Sequence, residues 1–241
     1  MIPLRDSVPS ETFPVMTLGI IVLNTVVWFY EISLGARIDR FVVEYGLIPI
    51  RFVAFNRFDG GFLDNALIPM FSSIFMHGGW LHVIGNMWFL WIFGNNIEDR
   101  LGHFRYLIFY LLCGIGASLL QIIAEPASRV PVVGASGAIS GVLGAYLLSY
   151  PHARIHTLLI LFILIYPVEI PAFLFLILWF VFQFMGGTSQ AAMQQDAGGV
   201  AYWAHIGGFV IGMVLFMFFP KKPARPSLLG ADYPSHFRRR W

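Results

Sequence analysis

Charge and thiols are both scarce in this sequence. Of its 241 residues only 12% are Asp, Glu, Lys or Arg, about half the share of an average soluble domain. Hydrophobic residues make up 58%, and the mean hydropathy is +0.73. So little charge cannot clothe a water-facing surface, which excludes a soluble globular domain and leaves a polytopic membrane protein. The lone cysteine, Cys113, excludes an internal disulfide and, with no second thiol, a zinc–thiolate site. Neither HExxH nor GxGD occurs, which removes zinc-peptidase and aspartyl-type chemistry. No metal or cofactor is expected. The net charge is +2 with no continuous basic stripe, so no nucleic-acid partner is expected. Residues 1–13 lack the charged n-region, apolar h-region and small-residue cleavage site of a secretory leader.

What the sequence has is apolar runs and aromatics, with 24 Phe, 7 Trp and 9 Tyr suited to lipid-facing surface and interfacial belts. A span needs about 20 apolar residues for a core of about 30 Å. Six segments qualify as candidates: 14–33, 78–97, 105–123, 136–150, 169–185 and 200–219. Between the first two, 34–67 alternates apolar and charged residues and reads as a long, partly embedded external loop. The long apolar stretch from Ala153 is broken at Pro167 and Pro171, and its first part reads as an irregular embedded lead-in to the fifth helix. The expected organisation is an N-terminal segment 1–13, a six-helix domain 14–220 and a basic tail 221–241. Six spans place both termini on one side, and Lys221, Lys222, Arg225 and Arg238 to Arg240 make that side cytoplasmic by the positive-inside rule. Arg37, Arg40, Arg51 and Arg57 in the first external loop run against the trend, but long loops translocate largely regardless of charge. A bacterial cytoplasmic membrane is the expected location. A transporter would show paired inverted repeats and midplane charges, and neither is present.

With this topology the even-numbered helices start at the external face, and depth follows from a rise of about 1.5 Å per residue. His82 then lies about 6 Å down helix two, Asn86 about 12 Å, and His205 about 8 Å down helix six. Helix four is short, so Ser136 at its top sits about 8 Å below the surface. Each has an ordinary explanation: Ser136 as a helix cap, His205 as a packed imidazole, Asn86 as a bond between helices. Intramembrane polar groups are costly and mark function, and here they share one layer. Glycine spacing adds a link. Ala204, Gly208 and Gly212 recur every four residues on helix six, as do Gly137, Gly141 and Ala145 on helix four. Such small faces allow close backbone approach. If they meet, the imidazole reaches the hydroxyl, as an activated serine requires.

Three stretches, "GASG" around Ser136, "AHIGGFVIG" around His205 and "FMHGGWLHVIGNMWFLWIFGNNIEDRLG" over 75–102, resemble the rhomboid intramembrane serine proteases. The resemblance spans roughly 14–220 and implies an all-α, six-helix membrane bundle. It implies a Ser136 nucleophile, a His205 general base without a carboxylate partner, and an acyl-enzyme. The oxyanion would be held by the Ser136 backbone N–H and the side chains of His82 and Asn86. Gly134, Glu98, Arg100 and His77 match positions read as structural. Substrates would be transmembrane proteins unwinding near their external end; an inactive family member that binds such segments is the alternative. No oligomeric state is implied. Two departures stand out. Ser140 occupies the place where some bacterial members stack a tyrosine on the catalytic histidine, leaving open what orients His205. Ala138 stands where a soluble hydrolase's GxSxG elbow has its last glycine. The stretch "GGTSQAAMQQDAGG", 186–199, is expected to form a mobile lid, with helix five as a lateral gate, and the 227–241 tail could touch anionic headgroups.

Overall fold

The computed structural model describes residues 1–161, 164–193, 200–219 and 221–223. The chain opens with β1 (Ile2–Asp6) and enters α1 (Val15–Ser33). The following segment folds into short pieces, α2 (Ile38–Tyr45), α3 (Pro49–Val53), a π-helical turn at Leu63–Leu67 and α4 (Ile68–Ser72). Four long helices and a hairpin come next: α5 (Trp80–Leu101), α6 (His103–Ala124), α7 (Ser136–Ser149), β2 (Arg154–Leu161), β3 (Leu164–Pro171) and α8 (Ala172–Met193). The last element is α9 (Tyr202–Phe218).

Helices carry the six apolar segments because hydrocarbon offers no partner for backbone polar groups, and a helix satisfies them internally. By length and composition α1, α6 and residues Ala172–Gln190 of α8 suffice to cross a membrane alone. Leu63–Phe75 with α5 makes a fourth, bent by 76°, whereas α7 and α9 are apolar but shorter. Side chains such as Val22, Val26 and Phe29 on α1, or Phe182 on α8, point outward, as suits a lipid-facing surface.

The expectation of an all-α chain needs correction. Arg154–Leu161 and Leu164–Pro171 pair as antiparallel strands, and β1 adds an antiparallel third strand, giving the order β1-β2-β3. In the register Asp6 faces Ile155 and His156 faces Glu169. Ile155 and Thr157 are buried while His156 between them is half-exposed, the period of two expected of a strand. An unbroken apolar run such as "LLILFILIY" hides that period and is compatible with either element. The fifth helix consequently starts at Ala172 rather than 169. It also continues through 186–193, where a lid loop was expected; 194–199 and the 227–241 tail lie outside the described residues.

One end of the bundle is laced together by the charged motif closing α5. Backbone amides of Met16 and Thr17 donate to the two oxygens of Glu98, at 2.9 and 2.8 Å. Amides of Glu11 and Thr12 donate to Asp99, at 2.6 and 3.1 Å. A buried carboxylate thus caps α1 from another helix, an arrangement worth about 0.5–2 kcal/mol per cap. The Arg100 guanidinium donates to the Lys222 carbonyl, and the Lys222 amide returns a bond to the Arg100 carbonyl at 2.8 Å. Glu98 and Arg100 therefore fasten the start of α1 and the segment after α9 to α5.

α7 and α9 share the most intimate packing. A Cβ added at Gly208 would lie 2.0 Å from the carbonyl oxygen of Gly137, and one at Gly212 2.2 Å from that of Gly141. Backbones this close leave no room for any side chain. α7 itself has 14 residues, about 21 Å of helix against a core of about 30 Å. It is too short to cross such a core by itself.

Candidate active site

The N-termini of α5, α7 and α9 meet at the end of the bundle opposite the sheet, around a cavity of about 1230 Å³. His82, Asn86, Ser136, Trp179 and His205 are among its lining residues. Ser136 is the first residue of α7; Ala135 precedes it as the capping residue and no side-chain capping bond is made. The serine hydroxyl instead meets the His205 ring, with Nε2 2.7 Å from Oγ. His205 lies in the first turn of α9, where the Ala204 amide donates to the buried Gln121 side chain at 3.0 Å. That bond fixes the start of α9 against α6.

The approach to Ser136 is held by the segment between α1 and α5. Leu47 and Val132 exchange backbone bonds of 3.1 and 2.7 Å, and the Gly134 amide donates to the Ser73 carbonyl at 2.8 Å. Gly134 has φ +132°, and a Cβ there would lie 2.7 Å from His82 Nε2 and 3.5 Å from Ser136 Oγ. Only glycine fits both the backbone and the space, and the same distances place the His82 ring beside the serine.

His82 and Asn86 both offer donors to this space. The Gly78 amide donates to His82 Nδ1 at 3.3 Å, which leaves the proton of a neutral ring on Nε2, the nitrogen near Ser136. The Asn86 side-chain nitrogen is buried with no partner among the described residues. His77 packs edge-on to His82, with ring centroids 5.1 Å apart, and its amide donates to Glu31 at 3.1 Å. It supports the His82 ring from behind. Ser140, whose position bore on how His205 is oriented, turns away and donates to the Ser136 carbonyl at 2.6 Å. Gln183 and Trp179 of α8 stand beside the imidazole instead. Gln183 Oε1 is 2.8 Å from His205 Nδ1, and the Trp179 ring lies 6.1 Å from it, tilted by 32°. The reading of the sequence named neither residue. A signal was available: Gln183 is the sole polar residue in "FLFLILWFVFQFM", one helical turn beyond Trp179, and an intramembrane polar group is a functional candidate by default. Among the described residues no three His, Cys, Asp or Glu side chains gather as a metal site.

Fold and site together define a class: helical integral membrane proteins with a serine–histidine pair at the start of a short, buried helix. A family model described as the Rhomboid domain matches residues 64–222, and the chain belongs to the rhomboid family. It is 29% identical over 179 residues to Rhomboid protein 1, mitochondrial, of Saccharomyces cerevisiae, covering 73% of this chain and 45% of that protein. It is 32% identical over 119 residues to Rhomboid-like protein 11, chloroplastic, of Arabidopsis thaliana (49% and 39% covered). It is 30% identical over 155 residues to Presenilin-associated rhomboid-like protein, mitochondrial, of Mus musculus (60% and 36% covered). The chain thus spans less than half the length of these curated relatives.

Proposed function

We propose that this rhomboid is an intramembrane serine endopeptidase that hydrolyses peptide bonds in or near transmembrane segments. The observation that carries the reading is the 2.7 Å contact between His205 Nε2 and Ser136 Oγ, inside a cavity whose wall also presents an unpartnered Asn86 amide. His205 takes the hydroxyl proton as Oγ attacks the scissile carbonyl carbon, the role of base to an activated serine. The C=O electrons move onto oxygen. That oxyanion is received by the Ser136 backbone N–H, His82 Nε2–H and the Asn86 side chain, where each donor contributes about 3 kcal/mol. The α7 N-terminus adds a favourable dipole. His205 then passes its proton to the leaving amine nitrogen, and the acyl group remains on Ser136 Oγ. Water entering through the cavity gives a proton to His205 as it attacks the ester carbonyl carbon, and His205 returns that proton to Ser136 Oγ as the C–Oγ bond breaks and the acid leaves.

Six spans fit this chemistry, with α7 stopping short of the surface so that Ser136 stays below it yet within reach of water. Helix α8 is the lateral gate in this reading, since an intact substrate helix hides its amides and must unwind to be cut. Both termini belong on the cytoplasmic side. The relatives' names place them in mitochondria and a chloroplast, which lends no support to the expected bacterial cytoplasmic membrane; the membrane itself is left open.

The test is reaction of the purified protein in detergent with a fluorophosphonate probe. The wild type is labelled, and Ser136→Ala and His205→Ala each abolish labelling while remaining folded. A folded wild type that resists the probe would overturn the reading in favour of an inactive member that binds transmembrane segments.

A further inference from the structure

A base–nucleophile pair works only if the imidazole carries its proton on the correct nitrogen. In a neutral ring one nitrogen donates and the other accepts, so for Nε2 to take the Ser136 proton, Nδ1 must hold the ring's own. Soluble serine hydrolases secure this with a carboxylate on the far nitrogen. Among the described residues no aspartate or glutamate bonds Nδ1 of His205; the group at that position is the Gln183 side chain, 2.8 Å away.

We propose that Gln183 is the positioning residue of the site: its side-chain carbonyl accepts the Nδ1–H of His205 and thereby holds Nε2 as the acceptor toward Ser136. This rests on the serine–histidine reading above and adds a third member to it. The two faces of a primary amide enforce opposite states. With Oε1 toward the ring, Nδ1 keeps its proton and the serine is activated. With the NH2 group toward the ring, Nδ1 must accept, the proton sits on Nε2, and Ser136 Oγ becomes an acceptor that cannot be deprotonated there. During acylation the proton moves from Oγ to Nε2, and the resulting imidazolium keeps its Nδ1–H on Gln183. The amide is neutral throughout, so it orients the ring without adding charge to the membrane layer.

The placement of Gln183 has a second consequence. It rides on α8, not on the α7–α9 pair whose backbones interlock through Gly137, Gly141, Gly208 and Gly212. Trp179, one turn earlier, rests beside both His205 and Phe209 of α9. The dyad's two reacting atoms are thus fixed by one rigid interface, while the group that sets the tautomer belongs to the helix assigned as the gate. An α8 that swings outward removes the orienter, and one that returns restores it, so that bond cleavage is tied to reclosure around a bound segment.

Gln183→Met keeps the length and shape of the side chain and removes the hydrogen bond, whereas Gln183→Glu supplies an acceptor that cannot flip. Both are compared with wild type for fluorophosphonate labelling rate, and 15N NMR of histidine-labelled protein reads the tautomer, with His205→Ala assigning the signal. Gln183→Met is expected to slow labelling about 10- to 100-fold, by analogy with losing the hydrogen-bond partner of a metal-bound histidine, and to move the proton from Nδ1 toward Nε2. Gln183→Glu is expected to stay within several-fold of wild type. Labelling at the wild-type rate in Gln183→Met with the Nδ1–H tautomer unchanged would overturn the proposal, as would equal slowing in both variants with the tautomer unmoved. A wild type that is never labelled removes the serine–histidine reading, and the tautomer comparison still decides whether Gln183 sets the ring.

Discussion

Asn86 buries its side-chain nitrogen without a partner, and a buried unsatisfied donor costs about 1–3 kcal/mol. Asn86 lines the cavity together with Ser136 and His205, so this donor is available to a group that arrives there. The arrangement makes sense where the partner arrives only in the transition state, which is the condition for an interaction to speed a reaction rather than tighten ground-state binding. Asn86→Ala should therefore lower kcat on a synthetic transmembrane-segment peptide about 100-fold, with KM nearly unchanged. Its melting temperature should equal or exceed that of the wild type. A lowered melting temperature with unchanged kcat would assign Asn86 to packing. His82 differs in that its Nδ1 already receives the Gly78 amide, so its tautomer is set before substrate arrives.

Among the elements, the α7–α9 pair fixes the reacting atoms. Lipid supplies no hydrophobic force between helices, so close packing through small residues takes its place. A methyl at Gly212 would meet the Gly141 carbonyl oxygen at 2.2 Å and its Cα at 2.3 Å, both backbone atoms that cannot rotate aside. Gly212→Ala is expected to destabilise the protein by about 1–3 kcal/mol through overpacking, read as a lower thermal midpoint in detergent. The Ser136 and His205 backbones would also be pushed apart, so probe labelling should slow even in the fraction that remains folded. The same substitution at the surface glycine Gly19, where an added Cβ meets nothing within 4 Å, should leave labelling unchanged. The hairpin β2–β3 was hidden by its uninterrupted apolar run, and β1 by its distance along the chain. Nothing local in "IPLRD" announces a partner more than 140 residues away.

Across the whole molecule, the end opposite the site is held by contacts between distant parts of the chain. Asp6 of β1 accepts from the Tyr146 hydroxyl of α7 and from the Asn96 side chain of α5, both at 2.5 Å. Burial pushes the Asp6 carboxyl up from 3.8 to about 7, against the lowering effect of these hydrogen bonds. Between those values the folded protein holds a proton that the unfolded chain has lost, so stability falls as the pH rises through this window. The thermal midpoint of the wild type should accordingly drop from pH 4 to pH 7 by more than that of Asp6→Asn, which is neutral throughout. Equal pH dependence in the two proteins would show that Asp6 is ionised in the fold. Because Tyr146 sits on α7, whose first residue is Ser136, this contact links the N-terminal strand to the helix that presents that serine to His205.

The sequence by itself determined the class of environment and singled out the polar positions within it. A chain with so little charge must satisfy its backbone within helices, and the small-residue spacing on α7 and α9 marks faces that can approach. The polar positions Ser136, His205, His82 and Asn86 were legible because each stands out against apolar neighbours near a helix start. Tertiary structure alone decided which side chains touch the imidazole. Gln183 lies 22 positions from His205 in the chain, and no periodicity within α8 says which face turns toward α9. It likewise decided that residues 2–6 pair with residues 155–158. Strand pairing is a contact between segments, and a single segment's pattern carries no record of its partner.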